Sequence, residues 1–188
     1  MCVEWPAAFQ SARSAVWLEG GAQHAVHALK YAALPRIAED LALAMAPLRP
    51  RTDEAAALIP IPLAPKRLRT RGYNQSEVLA RALARKWRIP VIPGLLVRTR
   101  ETPTQTALTP LTRLANVAGA FDVRRAECGA GNLHRNAIRP APRVQYVLVD
   151  DVFTTGATLA EAARALEQAG ATTIHAVTFA RAAIPDFS

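Results

Sequence analysis

The chain has 188 residues, a formal charge of +8 and a hydrophobic fraction of 51%. Length and apolar content suit one domain with a full core and exclude a disordered polyelectrolyte. No apolar run nears the roughly 20 residues that cross a bilayer, and no basic-then-apolar leader opens the chain, so a cytoplasmic protein without membrane contact is expected. Cys2 and Cys128 are too few for a disulfide framework and lack partners at metal-ligand spacing, so both read as ordinary thiols. The basic excess is mostly arginine, with lysine only at Lys30, Lys66 and Lys86. Arginine forks match phosphate oxygens, and the charge favours an acidic partner. A coding bias toward Ala, Arg and Pro gives the same excess, so position has to decide.

In chain order, residues 22–33 and 35–48 read as helices. Pro35 suits a first helical position, and Ile37, Leu41, Ala44, Met45 and Leu48 share one face. Ala57–Ile61 is a short apolar run bounded by prolines, as at the end of a buried strand. A basic loop, Pro62–Arg71, follows. Asn74 with Glu77 resembles a capping box that opens a helix running to about Trp87, with Val78, Leu79, Ala82 and Leu83 inward. Leu95–Val97 and Ala120–Val123 read as strands, with a polar, proline-punctuated stretch between them and a short helix near 111–117. Residues 124–143 read as an exposed excursion.

The last section carries the clearest pattern. Val144–Val149 is a nearly continuous β-branched and apolar run, which a strand buried on both faces of a parallel sheet requires. A turn, a helix over about Thr158–Ala169 with Leu159, Ala162, Ala163 and Leu166 inward, and a strand over Thr172–Phe179 complete a βαβ unit. Ligands of such sheets sit beyond the strand carboxyl ends. That place holds Asp150, Asp151, Val152, Phe153, Thr154, Thr155, Gly156, Ala157 and Thr158. Hydroxyls and backbone N–H groups at a helix start cradle an anion, and Gly156 lets the backbone approach a phosphate without a Cβ in the way. The adjacent carboxylates make sense when that anion hangs from a sugar whose hydroxyls they accept. A helix cap beside solvated turn acids is the plainer alternative, and the complete string after a buried strand argues against it.

The string Val147–Thr158 resembles the phosphoribosyl pyrophosphate (PRPP) motif of type I phosphoribosyltransferases. Ile59–Leu63, Arg69-Thr70-Arg71-Gly72-Tyr73-Asn74-Gln75, Leu79-Ala80, Arg98-Thr99-Arg100, Gln105, Arg113, Asn116 and Ala120-Phe121 resemble the ComF branch of that superfamily, over about residues 25–181. The resemblance implies an α/β fold in one domain: a mainly parallel twisted sheet flanked by helices, a flexible lid loop and a small N-terminal helical hood. It implies that Thr154–Thr158 bind the 5′-phosphate and that Asp150 and Asp151 hold the ribose hydroxyls. Lys66, Arg67, Arg69 and Arg71 would neutralise the leaving pyrophosphate, Arg71 and Lys66 foremost. Arg98, Arg100, Gln105, Arg113 and Asn116 would sit on the closing loop, for which a mobile surface loop is the alternative. Mg²⁺ is expected, held mainly by ligand and water rather than by a protein cage. ComF-like chains often start with a cysteine-rich, zinc-ribbon-like segment, and Cys2 alone cannot supply one, so no structural zinc is expected.

His24, His27, His134 and His175 show no pairing with a nucleophile, and Trp5, Trp17 and Trp87 form no stacking platform. The leading expectation is transfer of a phosphoribosyl group from PRPP to a nitrogen nucleophile. The competing ones are a PRPP sensor, a salt-sensitive module for single-stranded DNA in natural competence, and a docking module for DNA-processing proteins.

Overall fold

The computed structural model describes residues 4–31, 35–51, 54–100, 118–124, 140 and 143–183. Its elements are β1 (Phe9–Trp17), α1 (Gly21–Tyr31), α2 (Pro35–Met45) with a 3₁₀ turn over Ala46–Leu48, β2 (Ala55–Pro60), α3 (Pro65–Arg71) and α4 (Gln75–Trp87). Then come β3 (Leu96–Arg98), β4 (Phe121–Val123), β5 (Val144–Phe153), α5 (Ala157–Gln168) and β6 (Thr173–Arg181). Among the described residues one sheet runs in the order β1-β6-β5-β2, every pair parallel, and β3 pairs antiparallel with β4.

β5 occupies the middle of the sheet because its side chains are apolar on both faces. Tyr146 and Leu148 enter one core with Ile59, Ile174, Leu159 and Leu166. Val147 and Val149 enter the other with Leu58, Leu79, Leu83 and Val177. The period of two along a strand divides alternate residues between two layers, so helices must cover both faces. α5 covers the first through Leu159, Ala162, Ala163 and Leu166, all buried. α1, α2 and α4 cover the second. On α4, Leu79, Ala82 and Leu83 are buried and Val78 is half-buried. On α2 the buried stripe is Ala38, Leu41, Ala42 and Met45, while Ala44, expected inward, is exposed. The stripe follows the i, i+3, i+4, i+7 spacing and leaves Ala44 on the far side.

Three expectations are corrected, and a stretch without an assigned element proves to be a strand. Ahead of residue 22, β1 forms the sheet edge against β6. Its inward positions include serines, which hid the apolar alternation. Ser11 Oγ meets His175 Nδ1 at 2.8 Å and Ser14 Oγ meets Thr178 Oγ1 at 2.7 Å, so these polar groups are satisfied across the strand pair. The first of these contacts gives His175 a structural role across the strand pair. Next, the basic loop Pro62–Arg71 contains the helix α3, with Pro65 in its first turn and Gly72 at φ 81° as a left-handed cap whose N–H reaches Leu68 O at 2.8 Å.

β5 also does not turn after Val149. It continues through Phe153, pairing Asp150 with Thr178 and Phe153 with Arg181, so the two acids are strand residues. Lastly, the capping box is half-made: Asn74 accepts from Ser76 N at 3.2 Å, but Glu77 faces Arg81 at 2.6 Å. The short helix near 111–117 and most of the excursion 124–143 lie outside the described residues.

Candidate functional site

Because the main sheet is parallel, the carboxyl ends of its strands share one edge, and β5 delivers Asp150 and Asp151 there. The first turn of α4 meets them. Ser76 Oγ donates to Asp150 Oδ1 at 2.8 Å, and Gln75 Nε2 donates to Asp151 Oδ1 at 3.4 Å. Arg71 Nη1 in turn donates to Gln75 Oε1 at 2.5 Å, while its guanidinium lies 5.2 Å over the Tyr31 ring. From the last turn of α1, Lys30 Nζ reaches Asp151 Oδ2 at 2.6 Å.

The two acids are therefore unlike. Burial, and then the charge of Asp151 beside it, push the Asp150 carboxyl up to about 7, against the pull of the Ser76 hydroxyl. Asp151, only 4% exposed, has an ammonium facing it.

The β5–α5 connection closes the other side. Gly156 sits at φ 80° and starts α5, and a Cβ built on it would come within 2.9 Å of Trp5 and 3.0 Å of Phe153. Glycine is demanded twice, by the left-handed backbone and by this contact. The space left by the missing Cβ is filled by the Trp5 indole. Trp5 stacks on Phe9 at 4.1 Å and on Phe153 at 6.5 Å. Thr155 Oγ1 accepts from Ala157 N at 3.4 Å just ahead of the helix, and Ala157 is buried.

A cavity of about 430 Å³ opens between these elements, lined by Asp150, Asp151, Val152, Thr154 and Thr158. The cations on its lining are Lys30, Arg67, Arg71 and Arg98. Lys66 and Arg69 are exposed and do not line it. A helix explains the division: Arg67 and Arg71 are four residues apart on one face of α3, and Lys66 and Arg69 lie off that face. Arg98 also lies 5.3 Å from the Phe121 ring. Arg100 is exposed and donates to Ala118 O at 2.8 Å, away from the cavity. Gln105, Arg113 and Asn116 lie outside the described residues. Among the described residues no cluster of three or more His, Cys, Asp or Glu could hold a metal by itself.

Lys30, Gln75 and Ser76 escaped the sequence reading as site residues. Gln75 and Ser76 are buried polar residues at the start of an amphipathic helix, and that was the available signal. Lys30 carried a fainter one, as a lysine in a chain that otherwise prefers arginine.

The phosphoribosyl transferase domain profile matches residues 74–185, which takes in α4, the acid pair, the β5–α5 loop and β6. The chain belongs to this family. Its similarities fall in the ComF branch of the type I phosphoribosyltransferases. Competence protein F of Haemophilus influenzae is 35% identical over 126 residues, covering 67% of this chain and 50% of that protein. DNA utilization protein YhgH of Escherichia coli K12 is 32% identical over 155 residues, covering 79% and 62%. Competence protein ComFC of Bacillus subtilis is 31% identical over 118 residues, covering 63% and 41%. The chain thus spans about half the length of the relatives it matches. Within this ComF-like phosphoribosyltransferase fold, the acid pair stands at the strand end that the family motif occupies, and α3 and α4 add the cations and the buried polar turn.

Proposed function

We propose that the protein binds PRPP in the cavity at the carboxyl end of β5 and transfers its phosphoribosyl group to a nitrogen nucleophile, releasing pyrophosphate. One observation carries this reading. A hydroxyl-lined helix start (Thr154, Thr158), two adjacent carboxylates and four cations line a single cavity. The carboxylates suit a vicinal diol and the helix start suits a phosphate. Four cations against two acids leave an excess that suits a further diphosphate. Catalysis then rests on positioning and on neutralising the charge that develops on the leaving oxygen.

Mg²⁺ fits the donor set. Asp150 and Asp151 are hard oxygen donors, and Asp151 Oδ2 has no hydrogen-bond partner among the described residues beyond its ion pair with Lys30. The two carboxylates would hold the ion through water together with ligand oxygens, and the ion would supply charge neutralisation on the diphosphate.

The test is thermal unfolding with PRPP, nucleoside monophosphates and pyrophosphate, each with Mg²⁺. A ligand at 100 times its Kd stabilises by about 2.7 kcal/mol, which raises the midpoint of a chain this size by roughly 5–10 °C. Pyrophosphate release from PRPP, abolished in the Asp150→Asn/Asp151→Asn double variant, completes it. Stabilisation without turnover turns the protein into a sensor, and no response to any of the three ends the proposal.

The relatives' names, competence and DNA utilization, favour a second reading in which the same fold serves DNA handling. The +8 charge suits single-stranded DNA held by its phosphates. Under that reading, binding falls steeply with salt and with Arg71→Ala, and survives the double Asp→Asn change.

A further inference from the structure

The ion pair between Lys30 and Asp151 stands where a ribose hydroxyl would have to bind. Oδ1 of Asp151 accepts from Gln75 at 3.4 Å, and Lys30 Nζ holds Oδ2 at 2.6 Å, so the ammonium is the tightest contact of this carboxylate. The Asp151 side chain is 6% exposed and that of Lys30 is 27% exposed, and both line the cavity. Oδ2 is buried, so a diol that donates to it competes with the ammonium for the same small space. A displaced ammonium left among Arg67, Arg71 and Arg98 would be repelled, unless an anion arrives with the diol.

Residue type points the same way. Lysines occupy only three positions in this chain, while arginine supplies the rest of the 23 cationic residues. A lysine is a compact charge on a flexible stem with rotatable donors, whereas an arginine fork prefers one fixed planar partner. The contact that a diol competes with is thus made by the side chain best able to move.

Resting on the site reading given above, we propose that Lys30 is a mobile counter-cation: it holds Asp151 in the empty site and passes to the ligand's diphosphate when the ribose hydroxyls take its place. This makes Lys30 a specificity-determining residue. A sugar phosphate without a diphosphate displaces Lys30 and offers it nothing in return. A ligand carrying both groups compensates the loss within the same cavity. The preference for a 1-diphosphate over a plain ribose phosphate is then written partly in α1, outside the acid-pair motif.

Calorimetric titration of ribose 5-phosphate and of PRPP, each with Mg²⁺, into the wild type, Lys30→Met and Lys30→Arg decides the matter. Lys30→Met is expected to weaken PRPP at least tenfold while ribose 5-phosphate binds as well as before or more tightly. Lys30→Arg is expected to recover part of the PRPP affinity. Equal losses for both ligands indicate a merely structural role and overturn the proposal, as does a Lys30→Met protein indistinguishable from the wild type. A wild type that binds neither ligand overturns the site reading, and Lys30's role with it. Lys30→Gln carries the same expectations should the methionine variant be too unstable to titrate.

Discussion

Asp150 has the environment of a group whose charge is expensive. Burial and the neighbouring Asp151 raise it from 3.8 to about 7, so the folded chain holds a proton there that the unfolded chain has released. For such a raised acid, the folded state binds more protons than the unfolded one between those two values, and stability falls as pH rises through that window. The loss is on the order of 4 kcal/mol at most, by the conversion of about 1.36 kcal/mol for each pKa unit. Asparagine is neutral and nearly isosteric, and it can still accept from Ser76. Asp150→Asn should therefore unfold at a higher temperature than the wild type at pH 8, with the advantage shrinking toward pH 5. Thermal midpoints of both proteins across that range measure it, and a constant difference would refute the assignment. The residue that the proposed chemistry needs most is thereby one that costs stability at neutral pH, as expected of a functional site.

At the scale of elements, α3 converts a run of basic residues into an oriented set. A loop would leave Lys66, Arg67, Arg69 and Arg71 nearly equivalent, whereas a helix turns Arg67 and Arg71 to the cavity and the other two outward. Hydrogen bonds to charged groups contribute about 1.5–3 kcal/mol, so Arg67→Ala and Arg71→Ala should each weaken PRPP at least tenfold. Lys66→Ala and Arg69→Ala should stay within about twofold, as exposed charges do. Equal effects from Lys66 and Arg67 in the same titration would dissolve the distinction. This helix also marks where legibility ended. The βαβ unit from Val144 to Phe179 was readable because an apolar run on both strand faces and a four-residue inward stripe on α5 leave one arrangement. The acid pair was readable because its position follows from that unit. α3 was missed because its seven residues are too few and too basic to show an apolar stripe. Lys30, Gln75 and Ser76 reach the acids across more than 70 residues of chain in the case of α4, and no local pattern encodes such a meeting.

For the whole molecule, the N-terminal residues decide how the sheet ends. The family resemblance begins near residue 25, which suggests that earlier residues are dispensable. The structure argues otherwise. β1 covers the edge of β6 along its length, and the segment before it is strapped to α5, where Glu167 Oε1 accepts from Ala8 N at 2.7 Å and Arg164 donates to Glu4 O. Trp5 then fills the space behind Gly156, so the same segment backs the β5–α5 connection. Removing residues 1–17 would strip two stacked, half-buried aromatics, each stabilising by about 1 kcal/mol. It would also leave His175 and Thr178 without their serine partners and bare β6 as an unpaired edge. Against a typical total stability of about 5–15 kcal/mol, such losses together with the bared edge take a large share of what holds a domain folded. A chain starting at Leu18 is therefore expected to lose cooperative unfolding in urea, while Trp5→Ala in the full chain should unfold cooperatively with a lower midpoint, from a stability loss of about 1.5 kcal/mol. A trimmed protein with the full chain's midpoint and slope would show that the sheet closes on β6 and that β1 is an appendage.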